Sequence, residues 1–285
     1  MTAFSLISNC MKNFSALLIA GALGLASVPA SAQKVPSPYH TRFAVDAPII
    51  AGELAVSGFG LYRSMQRTGL TTTELAALRK EDVPSFDRFS AGYYSARAQT
   101  ASDLLCYPTL AIAPGLLALS PSIRSHYGQV AVLYLQTVLA ADALFTTSIG
   151  NIPRYRPFLY GTEGGDQRTS RIETNSFFAG HTAHTAAATF FAAKVFHDYN
   201  PDSPAQPYVW GAAAAVPAAV AYFRIQAGKH FLSDNIVGYA VGATMGVVVP
   251  QLHKVAARQG ISFSPLQGVN INGYSYSGLL LSKQL

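Results

Sequence analysis

The chain has 285 residues, half of them hydrophobic and only 12% charged, with a formal net charge of +6. Soluble domains average roughly 25% charged residues, so this composition excludes a disordered, highly solvated polypeptide. The two cysteines, Cys10 and Cys106, are too few for a disulfide framework, and no Lys/Arg block interleaved with aromatics marks a nucleic-acid partner.

Residues 1–32 read as an export signal. Lys12 precedes an apolar run from Ala16 to Ala26, and Ala30-Ser31-Ala32 is a small-x-small cleavage pattern with the cut before Gln33. The run is short for a bilayer span, which makes an uncleaved anchor the lesser reading. Lys12 is the sole charged residue of that segment, so its removal takes the charge from +6 to +5. That balance suits an anionic substrate or lipid surface. Residues 33–48 are Pro-rich and read as a tether, followed by a first helix from Ile49 to Met65. Thr71 and Glu74 have capping-box spacing and open a short helix through Arg79; 81–92 reads as a loop around Pro84 and Asp87-Arg88.

Apolar segments then follow at 93–119 (broken by Pro108 and Pro114), 127–148, 179–198, 207–223 and 231–256. Each is long enough for a helix. Gln136, Asp142, Lys194 and Pro217 interrupt them, and the longest clean run, Ile236 to Pro250, is about fifteen residues where a span needs about twenty. The expectation is an all-α bundle of about six core helices, compact rather than clearly transmembrane. The tail, 257–285, is Ser/Gly/Asn-rich and reads as extended or poorly ordered.

Three polar segments carry the chemistry. The first, Asn151-Ile152-Pro153-Arg154-Tyr155-Arg156-Pro157, closes the 127–148 helix. The second, Asn175-Ser176-Phe177-Phe178-Ala179-Gly180-His181-Thr182-Ala183, opens the next. Gly180 lets backbone approach a ligand, and the first amides of that helix lack internal partners and can face an anion. The third runs Arg224, five residues, His230, three residues, Asp234. On a helix His230 and Asp234 would share one face, where the carboxylate would orient the imidazole. Two histidines, Arg156, Arg224 and free amides are the equipment for phosphoryl transfer without a metal.

In these segments the chain resembles the type 2 phosphatidic acid phosphatase superfamily, which includes bacterial nonspecific acid phosphatases and vanadium haloperoxidases. The family pattern is Lys, six residues, Arg-Pro; then Pro-Ser-Gly-His; then Ser-Arg, five residues, His, three residues, Asp. The resemblance covers about 93–256 and implies that family's helical fold, with 33–92 as tether and first helices and 257–285 as a tail. It implies His230 as the nucleophile forming a phosphohistidine, Asp234 as its orienting partner, and His181 as general acid and then base. Arg156, Arg224 and the Gly180 amide would bind the phosphate oxygens.

Phe223 stands where Ser is usual, and two departures fall on the family's phosphate contacts: the lysine position is Ile149 and the serine position Ala179. Arg154 or Lys229 could supply the missing charge. The expected function is phosphomonoester hydrolysis on a lipid phosphate or a small soluble one, at a cell-envelope membrane or in the periplasm, with no cofactor; vanadate could bind as a phosphate mimic. A degenerate relative that binds phosphate or lipid head groups and a vanadate-dependent haloperoxidase stay open as alternatives. His181 and His184 at i,i+3 suggest no third metal ligand, so a zinc site is not expected. Phe177 and Phe178 read as core, His184 as a satisfied core histidine, and 158–174 as either a lid or a surface excursion.

Overall fold

The structure, a computed structural model, describes residues 36–258, 261–269 and 274–283. The export-signal segment lies outside the described residues. Six long helices form the core: α1 (Phe43–Met65), α3 (Ala96–Leu117), α5 (Tyr127–Asn151), α6 (Gly180–Tyr199), α7 (Gln206–Gln226) and α8 (Leu232–Arg258). Two short helices, α2 (Thr72–Ala77) and α4 (Pro121–Arg124), connect them. The expected capping box opens α2: the Thr71 amide donates to Glu74 Oε2 at 2.8 Å, and Thr71 Oγ1 accepts from the Glu74 amide at 3.2 Å. The described residues of the tail are mostly extended, one of its two expected states. Strands β1 (Ile261–Val269) and β2 (Ser275–Lys283) pair antiparallel, with Val269 opposite Ser275.

The described part of the Pro-rich tether, from Pro36 on, is packed on the bundle. Tyr39 is buried in the main core cluster with Leu133, Phe191 and Val195, and its hydroxyl donates to Asp198 at 2.9 Å. Helix α1 starts six residues before the expected Ile49. Asp46 sits in its first turn and accepts from the Arg42 amide at 2.5 Å, which satisfies a donor that an uncapped helix start would leave open.

Prolines do not break α3 or α7, and the carbonyls that Pro114 and Pro217 orphan find other donors. Pro114 cannot bond Leu110 O, which instead accepts from the Tyr134 hydroxyl at 2.6 Å. Pro217 frees Ala213 O, which accepts from Thr189 Oγ1 at 2.9 Å. Both donors come from neighbouring helices, so each proline is tied to its packing partner.

Helix α6 is the central element. Ala183, Ala186, Ala187, Ala188, Phe191 and Val195 are all fully buried along it. Helix α8 lies close against it through a glycine stripe at i, i+4 and i+8. A Cβ on Gly238, Gly242 or Gly246 would meet α6 or its cap at 2.5, 2.0 and 2.8 Å respectively. Helices α1 and α5 cross the same way, with Gly60 against Thr146 and Gly150 against Gly60 O.

Four helices are long and apolar enough to cross a membrane: Phe43–Met65, Tyr127–Asn151, Gln206–Gln226 and Leu232–Lys254. The expectation of a bundle without clear spans rested on their interruptions, and those turn inward. Gln136 Nε2 donates to Asp46 Oδ1 at 3.1 Å, and Asp142 Oδ1 lies 3.1 Å from His184 Nε2. Polar groups paired in the interior are what spanning bundles tolerate. The outer faces are apolar instead: Phe43, Leu54, Phe59 and Met65 on α1, Leu104 and Ile112 on α3, and Ile236 and Leu252 on α8 are exposed. Apolar surface on that scale marks a membrane or partner face, and with the helix lengths it makes this a membrane-associated bundle.

Candidate active site

The third segment is built by the end of α7. Gly228 adopts a left-handed φ of 67°, and a Cβ there would meet Tyr93 O at 1.8 Å. The Gly228 amide donates to Ile225 O at 2.9 Å and the Lys229 amide to Arg224 O at 3.0 Å. That pair of bonds is a Schellman turn, and it folds Lys229 and His230 back beside Arg224. The five-residue spacing between Arg224 and His230 is therefore a helix stop, not a helix face. His230 precedes α8 by two residues, so the expected shared helix face with Asp234 does not exist.

Backbone bonds stitch the other segments to this turn. The Arg154 amide donates to Thr174 O at 3.0 Å, the Arg156 amide to Glu173 O at 3.1 Å and the Ser176 amide to Arg154 O at 2.9 Å. The Phe158 amide reaches Gly228 O at 3.1 Å, and the Ala179 amide Asp234 O at 3.0 Å. The 158–174 segment is pinned, in three short 3-10 turns, with Phe158 and Leu159 buried and Arg168 donating to Leu159 O at 2.9 Å.

His230 is buried, and its Nδ1 lies 2.7 Å from Ser176 O. A carbonyl can only accept, so Nδ1 carries the proton and Nε2 carries the lone pair. Asp234, expected to hold the imidazole, bonds elsewhere. Its Oδ2 accepts from Ser176 Oγ at 2.6 Å and from the Phe231 amide at 2.8 Å, and Oδ1 pairs with Arg154. It thus fixes Ser176, whose carbonyl fixes the imidazole. Burial, Arg224 and Arg156 hold the His230 imidazole well below its usual range, so it stays neutral.

His181 is the second residue of α6 and lies 3.0 Å from Asp103 Oδ1 of α3. Arg224 Nη1 lies 3.5 Å from the same oxygen. Burial, then the Arg224 charge, lowers the His181 pKa against the opposing pull of Asp103. Burial alone would raise the Asp103 carboxyl, but His181 and Arg224 outweigh it and hold it below the usual carboxylate range. Gly180 has a packing reason of its own, since a Cβ there would strike the Phe145 ring at 2.7 Å.

Arg156 Nε lies 3.0 Å from Glu173 Oε2, and Lys229 Nζ lies 3.4 Å from Glu173 Oε1 and 4.7 Å from the Phe158 ring centroid. Burial and then Arg156 lower the Lys229 pKa to about 8. Three cations, Arg156, Arg224 and Lys229, thus face two carboxylates, Glu173 and Asp103. The buried Arg224 Nε has no hydrogen-bond acceptor among the described residues, and Arg156 Nε is near Glu173 without hydrogen-bond alignment. Buried donors left open in this way are unusual away from ligand sites.

Of the two residues that could supply the missing motif charge, Arg154 is already committed. It donates to Asp87 Oδ2 at 2.5 Å and Ser233 Oγ at 2.8 Å and pairs with Asp234. Lys229 stands among the arginines. Ile149 and Ala179 are buried, and Gly238 of α8 packs on Ala179 O. Asp87, Asp103, Glu173 and Ser176 were missed in the sequence. The signal for the two aspartates was an acid in a chain with few of them, and both are drawn to cations.

Residues 131–258 match the family model of the PAP2 superfamily. Lipid A 4'-phosphatase of Porphyromonas gingivalis is 26% identical over 145 residues, which is 46% of this chain and 55% of that one. The chain therefore spans about half the length of this curated relative. A solved transmembrane PAP2-type phosphatidylglycerolphosphate phosphatase from Bacillus subtilis aligns over 75% of this chain and 98% of its own, at 15% identity and a TM-score of 0.43. All three polar segments lie inside the matched residues, so the part of the chain that carries them is similar to the PAP2 superfamily.

Proposed function

We propose that the chain is a phosphomonoesterase of the cell envelope that acts on a membrane lipid phosphate through a phosphohistidine at His230. The observation that carries this reading is the 2.7 Å bond from His230 Nδ1 to Ser176 O, which leaves Nε2 as a nucleophile among Arg156, Arg224 and Lys229. Nε2 attacks phosphorus and the P–O bond to the leaving group breaks. His181 gives its proton to the departing alkoxide, then takes one from the water that attacks the phosphohistidine and releases phosphate. Arg156, Arg224 and Lys229 neutralise the equatorial oxygens. A bound dianion opposes the effects of burial and Arg224 on His181 and raises its pKa towards that of a working acid.

The lipid class is favoured by the apolar outer faces and by the relative that acts on lipid A. Turnover of a chromogenic phosphomonoester and of a short-chain phosphatidic acid by the purified chain tests the reading. Activity on either is expected to vanish in His230→Ala. Activity that survives this change overturns the nucleophile assignment.

A further inference from the structure

A second cation-lined cleft lies apart from His230, between the C-terminal ends of α1 and α5 and the 171–175 segment. It has a volume of about 700 Å³. Arg63, Gln66, Arg67, Asn151, Tyr155 and Thr174 line it, and no acidic residue does. Arg67 Nη1 is fixed by three acceptors: Ile152 O and Thr174 O at 3.3 Å and Asn175 Oδ1 at 3.1 Å. These contacts preset the plane of its guanidinium and explain its place at the end of α5, where a cation suits the helix dipole. They do not explain Arg63. Its side chain stands exposed in the last turn of α1, beside a like charge, and no carboxylate lies within ion-pair distance of either arginine among the described residues.

Burial and Arg63 together lower the Arg67 pKa, as expected of two cations with no shared anion. The cleft is wide open to the surface, with room for a phosphate group. Its depth matters too. Both α1 and α5 are candidate spans, and both end here, beside the exposed Tyr62 and Met65. That places the arginine pair where lipid head groups lie. None of His230, His181, Arg156 or Arg224 lines the cleft.

We propose that this cleft is an anion site, distinct from the candidate active site, in which Arg63 and Arg67 hold a phosphate group, carried by an anionic lipid head group or by a free phosphate ion. The proposal does not depend on the phosphatase reading. It is tested on the purified full chain in a neutral detergent by titrating its melting temperature. The three probes are a short-chain phosphatidylglycerol, inorganic phosphate, and a short-chain phosphatidylcholine whose choline cancels the phosphate charge.

A saturable rise in melting temperature is expected with the first or second probe but not the third. Phosphatidylglycerol alone would assign the lipid head group, and inorganic phosphate alone the free ion. In Arg63→Gln, which removes no hydrogen bond of the fold, the apparent affinity is expected to fall about tenfold. Arg67→Lys retains the charge and is expected to weaken binding less than Arg63→Gln combined with Arg67→Lys. Lys229→Met, in the active-site cradle, should leave the response intact. The proposal is overturned if Arg63→Gln binds like the wild type, if all three probes act alike, or if Lys229→Met removes the response.

Discussion

Lys229 is the residue whose behaviour separates this site from the family pattern. In the proposed mechanism it supplies a cation that the motif position Ile149 lacks, from a buried place that lowers its pKa to about 8. Below that pH it is charged and, on the proposed reading, binds phosphate; as pH rises through it the charge is lost. The free-enzyme profile of kcat/KM is therefore expected to fall above about pH 8. In Lys229→Arg that limb should move beyond the accessible range, and in Lys229→Met affinity for phosphate should drop about 10- to 100-fold. A pH profile unchanged by Lys229→Arg contradicts the assignment. Ser176 makes a different prediction, because its carbonyl holds His230 while its hydroxyl holds Asp234. Ser176→Ala keeps the first and removes the second. It should cost about 1–3 kcal/mol of stability, read from thermal melts, and lower kcat far less than His230→Ala. The residues His230, Asp234, His181, Arg156 and Arg224 were legible because their spacing is short and local. Asp87, Asp103, Glu173 and Ser176 were not, since their partners lie up to 146 residues away in the chain.

At the scale of elements, the glycine stripe of α8 sets how close the helix that follows His230 lies to the helix that carries His181. Gly242→Ala places a Cβ where Ala183 O stands 2.0 Å away, so α6 and α8 must part. A loss of about 1–3 kcal/mol is expected in thermal or denaturant unfolding. Gly115→Ala on α3 meets nothing within 4 Å and should be neutral or stabilising. Equal effects of the two changes would show that the stripe does not set the packing. The helices themselves were legible from their length and apolar content. Their ends were less so: α1 begins at Phe43 because of Asp46, and α3 passes through two prolines, with Tyr134 of α5 taking the carbonyl that Pro114 frees. These are tertiary devices with no local signature. The shared-face reading of His230 and Asp234 failed for a local reason that was present, Gly228, which ends α7 in a left-handed turn.

For the whole molecule, four helices are candidate spans by length and composition, and polar interruptions such as Gln136 are paired inside the bundle. The sequence obscured this because Gln136, Asp142 and Pro217 weaken each run while their partners sit on other helices. The full chain is expected to stay with membranes through high salt and alkaline carbonate, and its release by either would contradict a spanning bundle. The central claim is narrower: His230 Nε2 becomes covalently bonded to phosphorus. The most direct measurement is rapid acid-free denaturation of the chain during turnover of a phosphate-labelled substrate, followed by mapping of the label. The account predicts an acid-labile, base-stable phosphoryl group on His230, absent from His230→Ala. Label on another residue, or turnover by His230→Ala, would contradict it.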